Sequence, residues 1–493
     1  LAMNQSITIE ETEEHTAVYL QPFYVAESNI SKALIELAMT DMPIPVDNLD
    51  ELIYDLQKQE KIILAQNQKE AVIESLKNGV LVITGGPGTG KTTTVNCIIK
   101  LFEQLGAEVM LAAPTGRAAK RLSETTGREA KTIHRLLEYG YSGDGELDFF
   151  QKDEDDPLDA DVVIVDEMSM VDVLLMNHLL KAIVPGTRLI LVGDVDQLPS
   201  VGPGNVLRDI INSGLVKVIR LIEIFRQAQE SMIVLNAHRI NRGEFPQLNV
   251  KGKDFFLDRR QSPKEILDTI VDLICRRIPG FGPYDPLKDI QVLSPMKKGL
   301  VGVNNLNAEL QKVLNPPKPG KKEKASRDMT FREGDKVMQI KNNYNLSWKR
   351  YSYGKVIEEG EGVFNGDVGY IESIDNDERE MTVIFDEDKV VVYDFTQLDE
   401  LELAYAISIH KSQGSEFPVV VIPMAWGPPM LMTRNLLYTA VTRAREMVVL
   451  VGREKTIQSM VQNNHITNRY SGLERRIKNL LSSLIIDDKF NVF

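Results

Sequence analysis

The sequence predicts an α/β chain of two parallel-sheet domains, the second interrupted by a small antiparallel barrel. Three observations carry that reading. From residue 64, apolar runs at 80–84, 108–113, 161–166, 188–193 and 216–221 alternate with helix-period stretches, the texture of a parallel sheet covered on both faces. A second such set returns at 290–294, 402–407, 419–423 and 447–451. Within that second set, residues 334–395 switch to short strands at 336–340, 369–374, 381–385 and 390–393, with turn signals at Asn365-Gly366 and at 386–388.

Size and composition agree. The chain has 493 residues, enough for about three domains. A content of 43% hydrophobic and 26% charged residues is ordinary for a globular protein and excludes a disordered or fibrous one. No apolar run nears the ~20 residues that cross a bilayer, and the start lacks the pattern of a secretory signal. Cys97 and Cys275 have neither CxxC nor metal-ligand spacing, the usage of buried, reduced thiols. A cytoplasmic protein without membrane association is therefore expected.

In chain order, residues 1–61 read as a short acidic helical segment, with helices at 31–39 and 47–59 separated by Pro43 and Pro45. The first parallel-sheet domain is expected over 62–225, with an insertion at 138–159 whose Gly143-Asp144-Gly145 suggests a β-hairpin. The second domain is expected over 226–333 and 396–485, around the barrel at 334–395. The Pro/Lys-rich stretch 315–324 reads as a mobile loop.

Net charge is −14, which by itself argues against a polyanionic partner. The distribution reverses the argument. Residues 1–60 hold twelve acidic and two basic side chains and residues 144–161 hold nine and one, so the remainder is net positive; residues 434–478 carry nine basic and three acidic groups. A nucleic acid can bind locally while the acidic segments stay in solvent.

The chemistry-bearing motifs sit at strand ends. Gly85-Gly86-Pro87-Gly88-Thr89-Gly90-Lys91-Thr92 fits the phosphate-loop pattern and lies between a strand and a helix, the context it requires. Its glycines let backbone N–H groups face phosphates, Lys91 can neutralise them, and the Thr92 hydroxyl can hold Mg2+. The cradle extends over Gly86, Pro87, Gly88, Thr89, Gly90 and Thr93. The apolar run 162–165 ends in Asp166-Glu167, suited to a metal-binding carboxylate and a base for water; alone, such a pair also reads as a helix N-terminus. A third strand ends at 193–199, where the Gln197 amide can sense a γ-phosphate. Arg226 and Arg443 are candidates for the cation that phosphoryl transfer needs, from a second domain that closes on the nucleotide.

Taken together and in order, Gln68, the phosphate loop, Ala113-Pro-Thr-Gly-Arg-Ala-Ala-Lys120, Thr132-Ile-His134, Asp166-Glu167, 193–199, Phe225-Arg226-Gln227, His410-Lys-Ser-Gln-Gly-Ser-Glu416 and Tyr438-Thr-Ala-Val-Thr-Arg-Ala-Arg445 resemble the motifs of superfamily 1 helicases of the RecD-like branch. The resemblance covers residues 62–452. It implies two RecA-like motor domains, a strand-splitting β-hairpin insertion at 138–159 and an SH3-like β-barrel insertion at 334–395. It also implies that Gln68 reads adenine, Glu416 lies near the ribose, and Arg226 and Arg443 reach the γ-phosphate. Pro114, Thr115, Arg117, Thr132 and His134 on the first domain, with His410, Lys411, Ser412 and Gln413 on the second, are implied to track single-stranded DNA. Apart from Pro114, the residues so implied carry donors suited to phosphates and sugars, which give a grip independent of sequence.

The expectation is thus a monomeric, ATP- and Mg2+-dependent DNA helicase moving 5′ to 3′ on single-stranded DNA and opening 5′-tailed duplex. The polarity rests on the resemblance alone. A clamp or remodeller that hydrolyses ATP on single strands without processive unwinding is the alternative; a small-molecule P-loop kinase is a more distant one. A nuclease is not expected, because the roughly 40 residues after Val451 hold no clustered carboxylates of that type.

Overall fold

A computed structural model describes residues 6–11, 16–40, 49–140, 149–327, 329–386, 388–465 and 469–490, with side chains throughout except at 149, 226, 227 and 485–490. The chain forms two compact units, one of residues 1–114, 118–225 and 468–493, the other of 115–117 and 226–467. The fold is the expected α/β architecture with two parallel sheets and an antiparallel insertion.

The first unit holds a six-stranded sheet in the order Lys217–Leu221, Val80–Gly85, Arg188–Gly193, Val162–Val165, Val109–Ala113, Ala130–Thr132, every neighbouring pair parallel. Alternate residues of each strand feed two cores. Leu81, Ile83, Ile164, Ile190 and Val192 pack with Ile98 of helix Lys91–Gln104, while Val80, Val82, Val163, Leu189 and Leu191 pack on the other face. That double burial is why the strands read as continuous apolar runs.

The covering of the second face differs from the sequence reading. The N-terminal segment is not purely helical: Ile7–Glu11 pairs antiparallel with Thr16–Leu20 and leads into helix Gln21–Met39, ten residues longer at its start than expected. Pro22 occupies its first turn, where a missing N–H costs nothing. Ala26, Ile30, Leu34 and Leu37 supply the buried stripe. Helix Leu473–Phe490, expected to end the second domain, instead packs in the first unit, with Leu473 and Ile477 in the same core. Glu27 fixes it, accepting from Ser471 Oγ at 3.0 Å and from the Gly472 N–H at 3.1 Å.

The second unit holds a five-stranded parallel sheet in the order Phe255–Arg259, Ala444–Gly452, Phe417–Met424, Ile290–Ser294, Ala406–Ser408. Its insertion is a seven-stranded antiparallel sheet. Four of those strands match expectation, and a long hairpin, Asn343–Ser352 with Lys355–Val363, was not foreseen because its residues are mostly polar and half exposed. The single strand expected at 402–407 splits: Leu401–Leu403 joins the insertion and Ala406–Ser408 the parallel sheet. At the crossing, Asn307 Nδ2 donates to the Leu403 and Ala406 carbonyls at 2.9 Å each. The segment expected to be a mobile loop is pinned: Asn315 is buried and donates to Asp335 at 2.7 Å, and Glu323–Ser326 pairs with Met329–Arg332.

Candidate nucleotide site and strand-contacting residues

Three motif-bearing strands, Val80–Gly85, Arg188–Gly193 and Val162–Val165, are consecutive neighbours and parallel, so the phosphate loop, the 194–199 turn and Asp166-Glu167 all leave the same edge of one sheet. The carboxyl edge of a parallel sheet is where α/β proteins place ligands.

The phosphate loop is tightly specified. Gly88 and Gly90 have φ of +72° and +78°, values that favour glycine. A Cβ on Gly90 would meet Gln68 Nε2 at 2.4 Å and the Phe225 ring at 2.7 Å. The Phe225 N–H donates to the Gly88 carbonyl at 3.3 Å, and Thr89 Oγ1 to the Gly86 carbonyl at 2.8 Å. Lys91 Nζ donates to the carbonyls of Gly85 and Gly86 at 2.6 and 3.0 Å, neutral acceptors at the mouth of the loop. Thr92 and Thr93 are exposed in the first turn of helix Lys91–Gln104. Gln68 is buried; its oxygen accepts the Ala65 N–H at 3.0 Å and its amide donates to the Gly90 carbonyl at 3.2 Å.

Asp166 accepts the Glu167 N–H at 2.8 Å. Burial, then the neighbouring Glu167 carboxylate, push its pKa up to about 6, while Lys91 and Arg121 pull the other way. Glu167 adopts a left-handed backbone, φ +53°, and lies 4.0 Å from Arg121. Gln197 is buried, its amide donating to Asp194 Oδ2 at 3.3 Å, and its own Oε1 has no hydrogen-bond partner among the described residues. Such a set can hold phosphates, a divalent cation and an oriented water. Sequence reasoning missed Arg121, although it follows Arg117 by one helical turn, and the role of Phe225 as the wall beneath Gly90.

The other predicted residues divide between the units. In the first, Pro114 ends the strand Val109–Ala113, and Thr132 is buried, its hydroxyl capping the next turn by accepting the Arg135 N–H at 3.1 Å. His134 belongs to a ring cluster at the base of the insertion: it lies 5.6 Å from Tyr139 and 5.8 Å from Phe150, and Phe150 lies 4.3 Å from His178. Tyr139 pairs with Phe150 and Gly140 with Phe149 as antiparallel strands, so the base of the insertion is a β-ribbon; residues 141–148, with the Gly143-Asp144-Gly145 turn, lie outside the described residues.

In the second unit, which includes Thr115 and Arg117, Arg117 Nη1 donates to Ser415 Oγ at 2.8 Å. Arg226 opens the short helix Arg226–Gln229. Arg443 is buried, its guanidinium donating to the Thr439 and Ser415 carbonyls and the Thr442 hydroxyl at 3.2–3.3 Å, all neutral acceptors. His410 is exposed and Glu416 half-buried. Lys411 Nζ is ion-paired with Glu402 at 2.7 Å. Ser412 and Gln413 are buried, the Ser412 hydroxyl donating to the Ile409 carbonyl at 2.7 Å.

Three segments of the chain, and most of its length, resemble known proteins. Residues 68–203 match the family model of an AAA domain, residues 306–385 that of the SH3 domain of ATP-dependent RecD-like DNA helicases, and residues 403–451 that of a UvrD-like helicase C-terminal domain. The chain is 34% identical to the ATP-dependent RecD2 DNA helicase of Deinococcus radiodurans over 93% of its own length and 58% of that protein's. It is 30% identical to the RecBCD enzyme subunit RecD of Mycobacterium tuberculosis over 94% of its own length and 80% of that subunit's. A crystal structure of the Pif1 helicase from Bacteroides with ADP-AlF3 and single-stranded DNA aligns at 19% identity and TM-score 0.47, over 85% of this chain and 98% of that one.

Proposed function

The chain belongs to the RecD-like branch of superfamily 1 helicases, and we propose that it is an ATP-driven motor that moves 5′ to 3′ on single-stranded DNA and separates the duplex ahead of it. The observation that carries the ATP-driven part of the proposal is the convergence, at one edge of one sheet, of the phosphate loop, Asp166-Glu167 and the buried Gln197 with its unpaired oxygen; the polarity rests on the family resemblance.

In this reading Gly86 to Thr93 cradle the phosphates of ATP, and Lys91 exchanges two neutral carbonyls for phosphate oxygens. Gln68 faces the adenine from beside Gly90, and Glu416 serves the ribose. Mg2+ suits Thr92 and Asp166: an exposed hydroxyl, and a carboxylate whose proton affinity is raised first by burial and then by the charge of neighbouring Glu167. When bound, it supplies charge neutralisation on the phosphates. Glu167 takes the proton of the attacking water, and Gln197 Oε1 accepts that water's other hydrogen. Arg226 and Arg443 supply the transition-state cation; the neutral partners of Arg443 leave its charge uncancelled.

Pro114, Thr115, Arg117, Thr132, His134, His410, Lys411, Ser412 and Gln413 form the strand-tracking set, and the 138–159 ribbon is the wedge. Residues 62–225, 226–333 with 396–467, and 334–395 are its working parts, and helix Leu473–Phe490 braces the first of them. The test is hydrolysis of ATP with and without single-stranded oligonucleotide, together with strand displacement on a 5′-tailed duplex. Many-fold stimulation with displacement supports the motor; stimulation without displacement gives the clamp; no stimulation overturns both.

A further inference from the structure

The loop Ser200 to Gly204 begins three residues beyond Gln197 and belongs to no strand or helix, so the carbonyls of Ser200, Gly202 and Gly204 must be satisfied from elsewhere. One side chain from the far end of the chain does so. Arg469 Nη1 donates to Gly202 O at 2.6 Å, Gly204 O at 2.7 Å and Ser200 Oγ at 3.2 Å, and Nη2 donates to Ser200 O. Ser200 is buried, and its hydroxyl also donates to the Gly202 carbonyl at 3.2 Å.

The opposite side of the loop is equally fixed. A Cβ on Gly202 would fall 1.9 Å from Asp172 Oδ2, and one on Gly204, φ +86°, would fall 2.2 Å from Val173 Cγ2. The Val173 N–H donates to the Pro203 carbonyl at 3.1 Å. Glycine at 202 and 204 therefore lets the backbone lie against the start of helix Val173–Lys181 while its carbonyls turn to Arg469. Arg469 is itself anchored, because Ser471, Gly472 and Arg476 all donate to Glu27. Nearer Gln197, Arg208 Nη2 holds the Val195 carbonyl at 3.1 Å. All these residues belong to the first unit.

We propose that Arg469 is a positioning residue for ATP hydrolysis: by fixing the loop 200–204 it sets where Gln197 presents its oxygen. The planar five-donor guanidinium suits a cluster of three carbonyls and a hydroxyl, which an ammonium cannot serve in the same geometry. The inference rests on the motor reading, in which Gln197 orients the attacking water. Small displacements of such a group cost rate rather than substrate binding.

The test is a double-mutant cycle on the full chain, reading DNA-stimulated ATP hydrolysis for Arg469→Ala, Gln197→Ala and both together. Arg469→Ala should lower kcat on the order of tenfold with KM for ATP within about twofold, and should cost less than about twofold once Gln197 is already alanine. Equal losses in both backgrounds, or no loss in the single variant, would overturn the proposal. If Arg469→Ala does not fold, Arg469→Lys enters the same cycle with an intermediate loss expected and the same non-additivity required. A wild-type chain whose hydrolysis does not respond to DNA would instead overturn the motor reading itself.

Discussion

Gln197 Nε2 donates to the Asp194 carboxylate at 3.3 Å, which leaves the Gln197 oxygen buried and unpaired among the described residues. A buried acceptor without a partner costs on the order of 1–3 kcal/mol. That cost is reasonable for a group whose partner arrives with the substrate.

Glu167→Gln keeps shape and removes the base. Hydrolysis should fall by roughly 10²- to 10⁴-fold, the contribution of a positioned general base, while ATP still binds. Single-turnover hydrolysis and equilibrium nucleotide binding, measured side by side, check this; near-normal turnover would remove Glu167 from the chemistry.

Gly90→Ala should be destabilising and should weaken nucleotide binding. The left-handed backbone alone costs about 1–2 kcal/mol for a residue with a Cβ, and contact with Gln68 and Phe225 adds overpacking. Thermal unfolding and nucleotide affinity provide the readouts. In thermal unfolding the change should be less than additive with Gln68→Ala, which removes one contact and leaves φ at +78°, whereas nucleotide affinity, which loses the adenine partner, should not recover.

Asp166 makes stability depend on pH in a defined direction. Its folded pKa, about 6, lies above the ordinary aspartate value of 3.8, so the folded state binds the proton more tightly. Ionisation then costs stability: the penalty is absent below 3.8, grows as pH rises to about 6 and is complete above that. Asp166→Asn should therefore raise the melting temperature of the nucleotide-free protein at pH 7.5 by several degrees, an advantage that shrinks toward pH 5. Melting curves of both proteins across that range decide it. A constant difference would mean that Asp166 has an ordinary pKa.

The parts of this account legible in the sequence are those where one segment carries both signal and structure. Residues 80–92 are strand, loop and helix in continuous register, and both parallel sheets were readable because double burial writes itself as uninterrupted apolar runs. What escaped depends on distant partners. Helix Leu473–Phe490 is amphipathic, but nothing in its residues says that it covers the first sheet beside Ile30 and Leu34. The long hairpin at 343–363 has charged, half-exposed strands held by cross-strand pairs such as Arg350 with Glu358, which give no apolar pattern. Arg469 read as one basic residue among nine in its stretch until its four acceptors were seen on the loop after Gln197.

The ribbon that begins at Tyr139 should serve strand separation rather than hydrolysis. Its base is held by Phe150, whose ring lies tilted against Tyr139 at 4.8 Å and His178 at 4.3 Å. Burial lowers the pKa of both His134 and His178, which favours neutral imidazoles in this ring cluster. Replacing residues 141–148 with a short Gly/Ser link should leave DNA-stimulated ATP hydrolysis intact and abolish most duplex unwinding. Unwinding per ATP at the wild-type level would make the ribbon an ordinary surface element.

The central claim, a motor with 5′ to 3′ polarity, is tested most directly by the rate at which the chain, with ATP and Mg2+, unwinds two duplexes of identical sequence that differ only in carrying a 5′ or a 3′ single-stranded tail. Displacement from the 5′-tailed substrate is expected at many times the rate from the 3′-tailed one, with none for Glu167→Gln on either. Preferential opening of the 3′-tailed duplex, or ATP hydrolysis without opening of either, would contradict it.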